Sequence, residues 1–455
     1  MKGHAMNALQ QYIDLYRDHG RLLREKSCET LNAPREKACT DLQDMALPRK
    51  GSENYEHTDL QELLAPDYAL NIARVPLGVN PQATFRCDVP NLSTSLFMLL
   101  NDGWAETDIS RRNLPEGVTV DSLAHAAATM PELVGKYYNK LADPANPLAA
   151  LNTMLAQDGL FLHIRKGVKL EKPLQLVDIL QYDVPLMTVR RMLIVIEDAA
   201  EGKLLICDHT QNPDVKLLNL QTIEIFAGRN SHFDLYDLEE STENTTRLST
   251  LFLRQESGSN VLIDGITLFN GTTRNEYFCS MPEPDAELHL YGMGIEDLSR
   301  RLDTYSRISH EAERCRSNEL FKYVVDDSST GAFSGRIYVA PGAQKTEAYQ
   351  ANRNIVGTDD ARMFSKPQLE IYADDVKCSH GTAIGQLDAL QVFYMRTRGL
   401  SESTARMLLK QAFMADVIEG VRLPALKDRL RQLVEMRFSG TQGSCSACHN
   451  EGCRI

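Results

Sequence analysis

Hydrophobic and polar positions divide the chain into three zones. In the first, to about residue 155, Leu9, Tyr12, Ile13 and Tyr16 recur at i, i+3, i+4 and i+7, the stripe of an amphipathic helix. Asp121 and Ser122 precede Leu123-Ala124-His125-Ala126 as a helix start, and Ala149-Ala150-Leu151 marks another. Residues 31–60 are charged and poor in apolar side chains, which predicts a loop; residues 83–104 predict one or two strands. From about 156 to 390 the period changes. Short strand-like pieces recur, among them Leu160–Ile164, Leu193–Ile196, Ile223–Phe226, Val261–Ile263, Leu288–Tyr291 and Leu369–Tyr372, punctuated by Gly, Asn and Asp. No propeller signature repeats, and a right-handed parallel β-helix suits many short strands joined by tight corners. In the third zone, 391–440, Ala405, Leu408, Leu409, Ala412 and Phe413 follow a cap at Ser401. Leu426, Leu430, Leu433 and Val434 then follow Pro424, and Gly440 is the expected stop. The expected fold is mainly β: a parallel β-helix flanked by N-terminal and C-terminal α-helical regions, with a cysteine-rich tail at 441–455.

Composition narrows the function. With 62 acidic and 49 basic residues the chain carries a net charge of −13 and no basic stripe, so nucleic acid is not an expected partner. No window approaches the roughly 18 apolar residues needed to span a bilayer, so no membrane partner is expected. The N-terminal residues lack an apolar signal segment, and the ten cysteines are scattered apart from the last three; both features predict reduced thiols and a cytoplasmic setting.

Candidate chemistry concentrates in Pro367–Gly381. Leu369, Ile371 and Ala373 alternate with Glu370, Tyr372 and Asp374, as in a half-buried strand. Carrying that register onward would bury Asp375 and Lys377, so it must break near Asp374-Asp375, at a bulge or a coil corner. Beyond the break Val376, Cys378 and His380 are expected to share one face, where a thiolate and an imidazole two residues apart could meet one iron or other metal ion. A buried cysteine beside a hydrogen-bonded histidine is the other reading of that pair. In the tail, Cys445, Cys448, His449 and Cys453 are candidate ligands of a zinc or iron site, with a flexible tail of reduced thiols as the alternative. The CxxCH there also spells a haem attachment, a chemistry of exported chains. Asp303, Ser309 and His310 lack a nucleophile-elbow glycine pattern. Gly292-Met293-Gly294 lacks a third glycine and a following helix, and no phosphate-binding loop of the ATPase kind is present.

The run Ala373–Gly381 (ADDVKCSHG), with Ala343–Val356 upstream and Phe393–Phe413 downstream, closely resembles the SufB/SufD family of iron–sulfur cluster assembly scaffolds, and favours its SufD branch. His310, Cys315-Arg316-Ser317 and Phe333–Ile337 resemble the family's H…C-x-S…F-x-G-x-I pattern, and Val168–Leu174 resembles the opening of its β-helix. The resemblance implies edge-to-edge pairing with a SufB-like paralogue. It further implies C-terminal helices that bind a SufC-like ABC ATPase, and a homodimer when the chain is isolated. It maps the family's interface histidine onto His380, with Cys378 as a second candidate ligand. No permanent cofactor is implied, only transient iron or an iron–sulfur cluster shared with SufB, and no catalytic turnover. The rival readings are a purely structural partner of SufB and, with Asp374 and Asp375 as paired carboxylates, a carbohydrate-active enzyme on the same fold.

Overall fold

The computed structural model describes residues 7–75, 94–105 and 114–440. Its body is a flattened parallel β-solenoid. Successive strands alternate between a ten-stranded and a nine-stranded sheet, so each coil adds one strand to each wall. Pairing is parallel and in register from coil to coil, as where Ser317–Val325 runs beside Ala348–Val356. The exceptions are a register shift between Thr267 and Phe269 and the first end, where Gly103–Ala105 and Val118–Ser122 pair antiparallel with their neighbours.

Tight corners make this winding feasible. Gly167, Ala199, Asn230, Gly258, Asp285, Arg314 and Lys345 occupy one corner of successive coils, all left-handed, with φ from 54 to 73°. A non-glycine residue there costs about 1–2 kcal/mol. Each of these residues donates its backbone N–H to a corner carbonyl of the next coil: Asp198, Arg229, Ser257, Pro284, Glu313, Gln344 and Asp375 in turn. At about 0.5–1.5 kcal/mol net per bond, the ladder largely offsets the strain. The register break expected near Asp374-Asp375 is the last of these corners: strand Arg362–Ile371 ends there and Lys377–Gly385 begins in the opposite sheet.

The lumen is apolar on one side and charged on the other. Leu162, Ile194, Ile225, Ile263, Leu290 and Val325 belong to its apolar core. Opposite them, Arg190 bridges Asp178 and Asp208, the latter at 2.6 Å, and Arg247 joins Asp208 (3.0 Å) and Asp237. All five are buried. Such charges are tolerable only as a closed set, because each ion removed from water needs its counter-ions.

The outer faces are roofed by helices. On the nine-stranded sheet Leu9, Tyr12, Ile13, Leu148, Leu151 and Met154 pack on Met187, Val189, Leu218 and Leu220. The first helix, Ala8–Glu25, and the later helices Leu123–Thr129 and Pro147–Leu155 agree with the sequence pattern, and Ser122 caps through its side chain as expected. Of the strands expected in 83–104, Ser95–Leu100 is found, and Gly103–Ala105 begins at the end of that window; 83–93 lie outside the described residues. Residues 31–60 correct the loop expectation. Helices Glu29–Asn32 and Arg35–Gln43 use few but well-placed apolar residues, Leu31, Ala38, Cys39 and Leu42, and the buried Arg35 donates to the carbonyls of Met154 and Ala156. The stretch that follows is a strap across the same sheet. Tyr55 Oη donates to Glu276 (2.6 Å), Arg274 donates to the Asn54 carbonyl (2.7 Å), Lys366 pairs with Glu56 (2.6 Å), and His57 stacks on Phe364 with centroids 3.8 Å apart. Its charges are paired with residues far along the chain, Glu56 with Lys366 and Glu53 with Arg336, which composition alone does not reveal.

On the ten-stranded sheet, helices Glu402–Gly420 and Pro424–Ser439 bury Met414, Val417, Ile418, Leu426, Leu430 and Leu433 against Val177, Leu205, Leu262, Met293 and Val324. Gly420 is required by close approach, since a Cβ there would lie 2.6 Å from the Tyr291 ring. Gly440 ends the last helix at φ 70°, as expected.

Arg190→Met should lower stability by about 3–5 kcal/mol, because it leaves buried Asp178 without its cation and Asp208 with Arg247 alone. Arg21→Met, which breaks an exposed pair with Glu25, should change it by less than about 1 kcal/mol. Urea unfolding followed by circular dichroism measures both.

Candidate functional site

Strands Arg362–Ile371 and Lys377–Gly385 are the last in their sheets, each with one neighbour among the described residues. The last coil is therefore an open end. Its exposed apolar side chains include Phe364, Ile371, Tyr372 and Ile384. An unpaired edge with such side chains is a template for another strand.

Cys378 and His380 stand on that coil. Cys378 registers with Ala348 and His380 with Gln350, both on the inner face, so Cys378, His380, Thr382 and Ile384 face the mouth of the lumen. Thr382 Oγ1 donates across the mouth to Ser365 Oγ of the opposite wall at 2.7 Å. Cys378 is half-buried, and burial pushes its thiol up while the Ala348 backbone N–H lowers it. The His380 side chain is exposed. Below it Gln350 is buried and donates to Glu319 at 2.6 Å, and burial pushes the Glu319 carboxyl up to about 7. Residues two apart on a strand lie about 6.6 Å apart along it, so thiol and imidazole provide at most two ligands of a four-coordinate iron. No third His, Cys, Asp or Glu joins them among the described residues. Among the described residues nothing completes such a shell.

The other sequence candidates separate. Asp375 holds the last corner, with its side chain bound to Lys345 and its N–H donated to Gln344 Oε1 (2.9 Å); Asp374 is exposed beside it. The two carboxylates do not converge on a substrate cleft. Asp303 lies on the outer face against Arg274 (2.9 Å). His310 is buried inside, its Nε2 2.8 Å from Ser317 Oγ, and burial pushes it down to about 3. The two sit on opposite faces and form no triad. Gly292 and Gly294 are mid-strand residues under Phe321 and Tyr323. Cys445, Cys448, His449 and Cys453 lie outside the described residues.

One surface was missed by the sequence reading. Helix Ala389–Thr397, capped by Asp388, buries only Val392 and leaves Leu390, Phe393 and Tyr394 76%, 63% and 58% exposed. Its signal was the i, i+3, i+4 spacing of those three residues. Phe413, by contrast, packs onto the solenoid: Lys322 Nζ lies 4.5 Å from its ring centroid and bonds its carbonyl at 2.8 Å. No helix among the described residues is long and apolar enough to cross a membrane.

Fold and site together define a β-solenoid whose open last coil carries Cys378 and His380. The family description "SUF system FeS cluster assembly, SufBD core domain" matches residues 180–413, and "SufBD protein N-terminal region" matches residues 6–176. The chain therefore belongs to the SufB/SufD family of iron–sulfur cluster assembly proteins. An iron–sulfur cluster assembly SufBD family protein of Synechocystis is 30% identical over 412 residues, covering 89% of this chain and 90% of the relative. The iron–sulfur cluster assembly protein SufD of Escherichia coli is 26% identical over 445 residues (95% and 97%), and that of Bacillus subtilis 24% over 362 residues (77% and 80%).

In the native protein Cys378 should be alkylated by iodoacetamide well before Cys279 and Cys315, which lie inside the solenoid. Its rate should rise with pH until the raised thiol pKa is passed, because only the thiolate reacts. Peptide mass spectrometry of a timed labelling series reads both outcomes.

Proposed function

We propose that this chain is a non-catalytic scaffold subunit in iron–sulfur cluster assembly. Its open last coil docks edge to edge with a SufB-like paralogue, and a nascent cluster forms between the two. His380, with Cys378 as the second candidate, supplies part of the iron coordination and the partner supplies the rest. The observation that carries this reading is the exposed His380 beside Cys378 on an unpaired coil, an incomplete ligand set at a surface made for strand addition. A cluster held by too few ligands from either side is labile, which is what handing it onward requires. The cluster is cargo here, so no group need stay bound.

The energy source on this reading is a SufC-like ABC ATPase, received by the exposed apolar face of helix Ala389–Thr397. That face is a better seat than Leu409 and Phe413, the latter being engaged by Lys322. A second copy of the chain can occupy the same open edge when the paralogue is absent.

His380→Ala should abolish cluster formation in the anaerobically reconstituted complex while both partners still co-purify; a near-normal rate of cluster absorbance would remove His380 from the ligand set. Leu390→Asp with Phe393→Asp should weaken ATPase binding at least tenfold without changing the circular dichroism of the solenoid. Isothermal titration with the ATPase subunit reads this, and unchanged affinity would move the docking site elsewhere.

A further inference from the structure

Glu319, Gln350 and His380 are successive register partners on the inner wall, one per coil, so they form a column along the solenoid axis with rungs about 4.8 Å apart. The lower joint is made: Gln350 Nε2 donates to Glu319 Oε2 at 2.6 Å. The upper half of the amide is idle. Gln350 is only 2% exposed, and its Oε1 is buried with no hydrogen-bond partner. A buried carbonyl oxygen left unpaired is unfavourable, and here the next rung carries an imidazole. The facing wall is shaped around this amide. A Cβ on Gly335 would lie 2.3 Å from Gln350 Nε2, and glycine leaves that space open.

Resting on the ligand reading of His380, we propose that Gln350 is its positioning residue: the Gln350 amide oxygen accepts the imidazole N–H, and Glu319 holds the amide in that orientation. A histidine that donates one ring N–H to a fixed acceptor is locked in tautomer and ring plane, and its other nitrogen is then free to bind a metal. Glu319 acts at one remove, because a group that accepts from Nε2 turns Oε1 toward the mouth. The column carries orientation from the buried coils to an otherwise exposed side chain.

The test uses the full chain labelled with ¹⁵N-histidine, with no iron present, and the His380 signals assigned by loss in His380→Asn. In the unsubstituted protein above the imidazole titration, one ring nitrogen of His380 should carry nearly all of the proton. Gln350→Met, which keeps shape and removes the acceptor, should give the tautomer mixture of free imidazole. Gln350→Glu should restore the one-sided state, and Glu319→Gln should keep it while Glu319→Leu loses it. Gly335→Ala provides a second route, since its methyl displaces the amide without altering column residues, and should also give the mixture. Identical tautomer populations in the unsubstituted, Gln350→Met and Gly335→Ala proteins would overturn the proposal, even where His380→Ala abolishes assembly. A shifted tautomer supports it even where His380→Ala assembles clusters normally, an outcome that would count against the ligand reading alone.

Discussion

Each coil of this protein is completed by the one after it. The corner ladder from Gly167 to Asp375 states this most directly: a residue held in left-handed geometry is compensated by a carbonyl that belongs to the following coil. The strand ladders and the internal charges obey the same rule, since Arg190 reaches aspartates on two different coils and Arg247 shares one of them. A structure whose units are satisfied by neighbours must have ends, and the ends are where such a fold can acquire function. At the first end the problem is met with short antiparallel strands. At the last it is left open, and Cys378 and His380 stand there.

The open end explains why so little chemistry is assembled within one chain. Two donors two residues apart on a strand cannot enclose an iron, and the carboxylates nearest in sequence are committed to the corner. The buried polar pair Gln350 and Glu319 floors the mouth of the lumen, while helices pack on part of each outer face.

Much of this was legible in the sequence, where local pattern and tertiary role coincide. The strands of 156–390 alternate as solenoid strands do, Ser122, Ser401 and Gly440 mark helix ends, and the disallowed burial of Asp375 and Lys377 locates a corner. The resemblance carried by Ala373–Gly381 brought His380 forward before any geometry was known. What stayed hidden depends on long-range partners. Residues 31–60 look like a loop because their charges are counted as solvated, whereas Arg35 is bound to carbonyls near residue 155 and the strap lies against Glu276 and Lys366. Arg190 reads as a polar slip in an apolar strand until Asp178 and Asp208 are brought to it by winding. Phe413 and Phe393 look equivalent in a helical pattern, and only Lys322 tells them apart. Gln350 gives no sign at all, because its meaning is a register that only stacked coils create.

The two ends being unlike has an arithmetical consequence. A solenoid open at both ends could stack head to tail without limit and grow into a fibre. Here Gly103–Ala105 and Val118–Ser122 run against the parallel direction, so the first end does not continue the ladder that the last end offers. Among the described residues the last coil is thus the one end that offers parallel strands for addition. A pair joined by two such edges uses up both and offers no further parallel edge, with Cys378 and His380 at its seam.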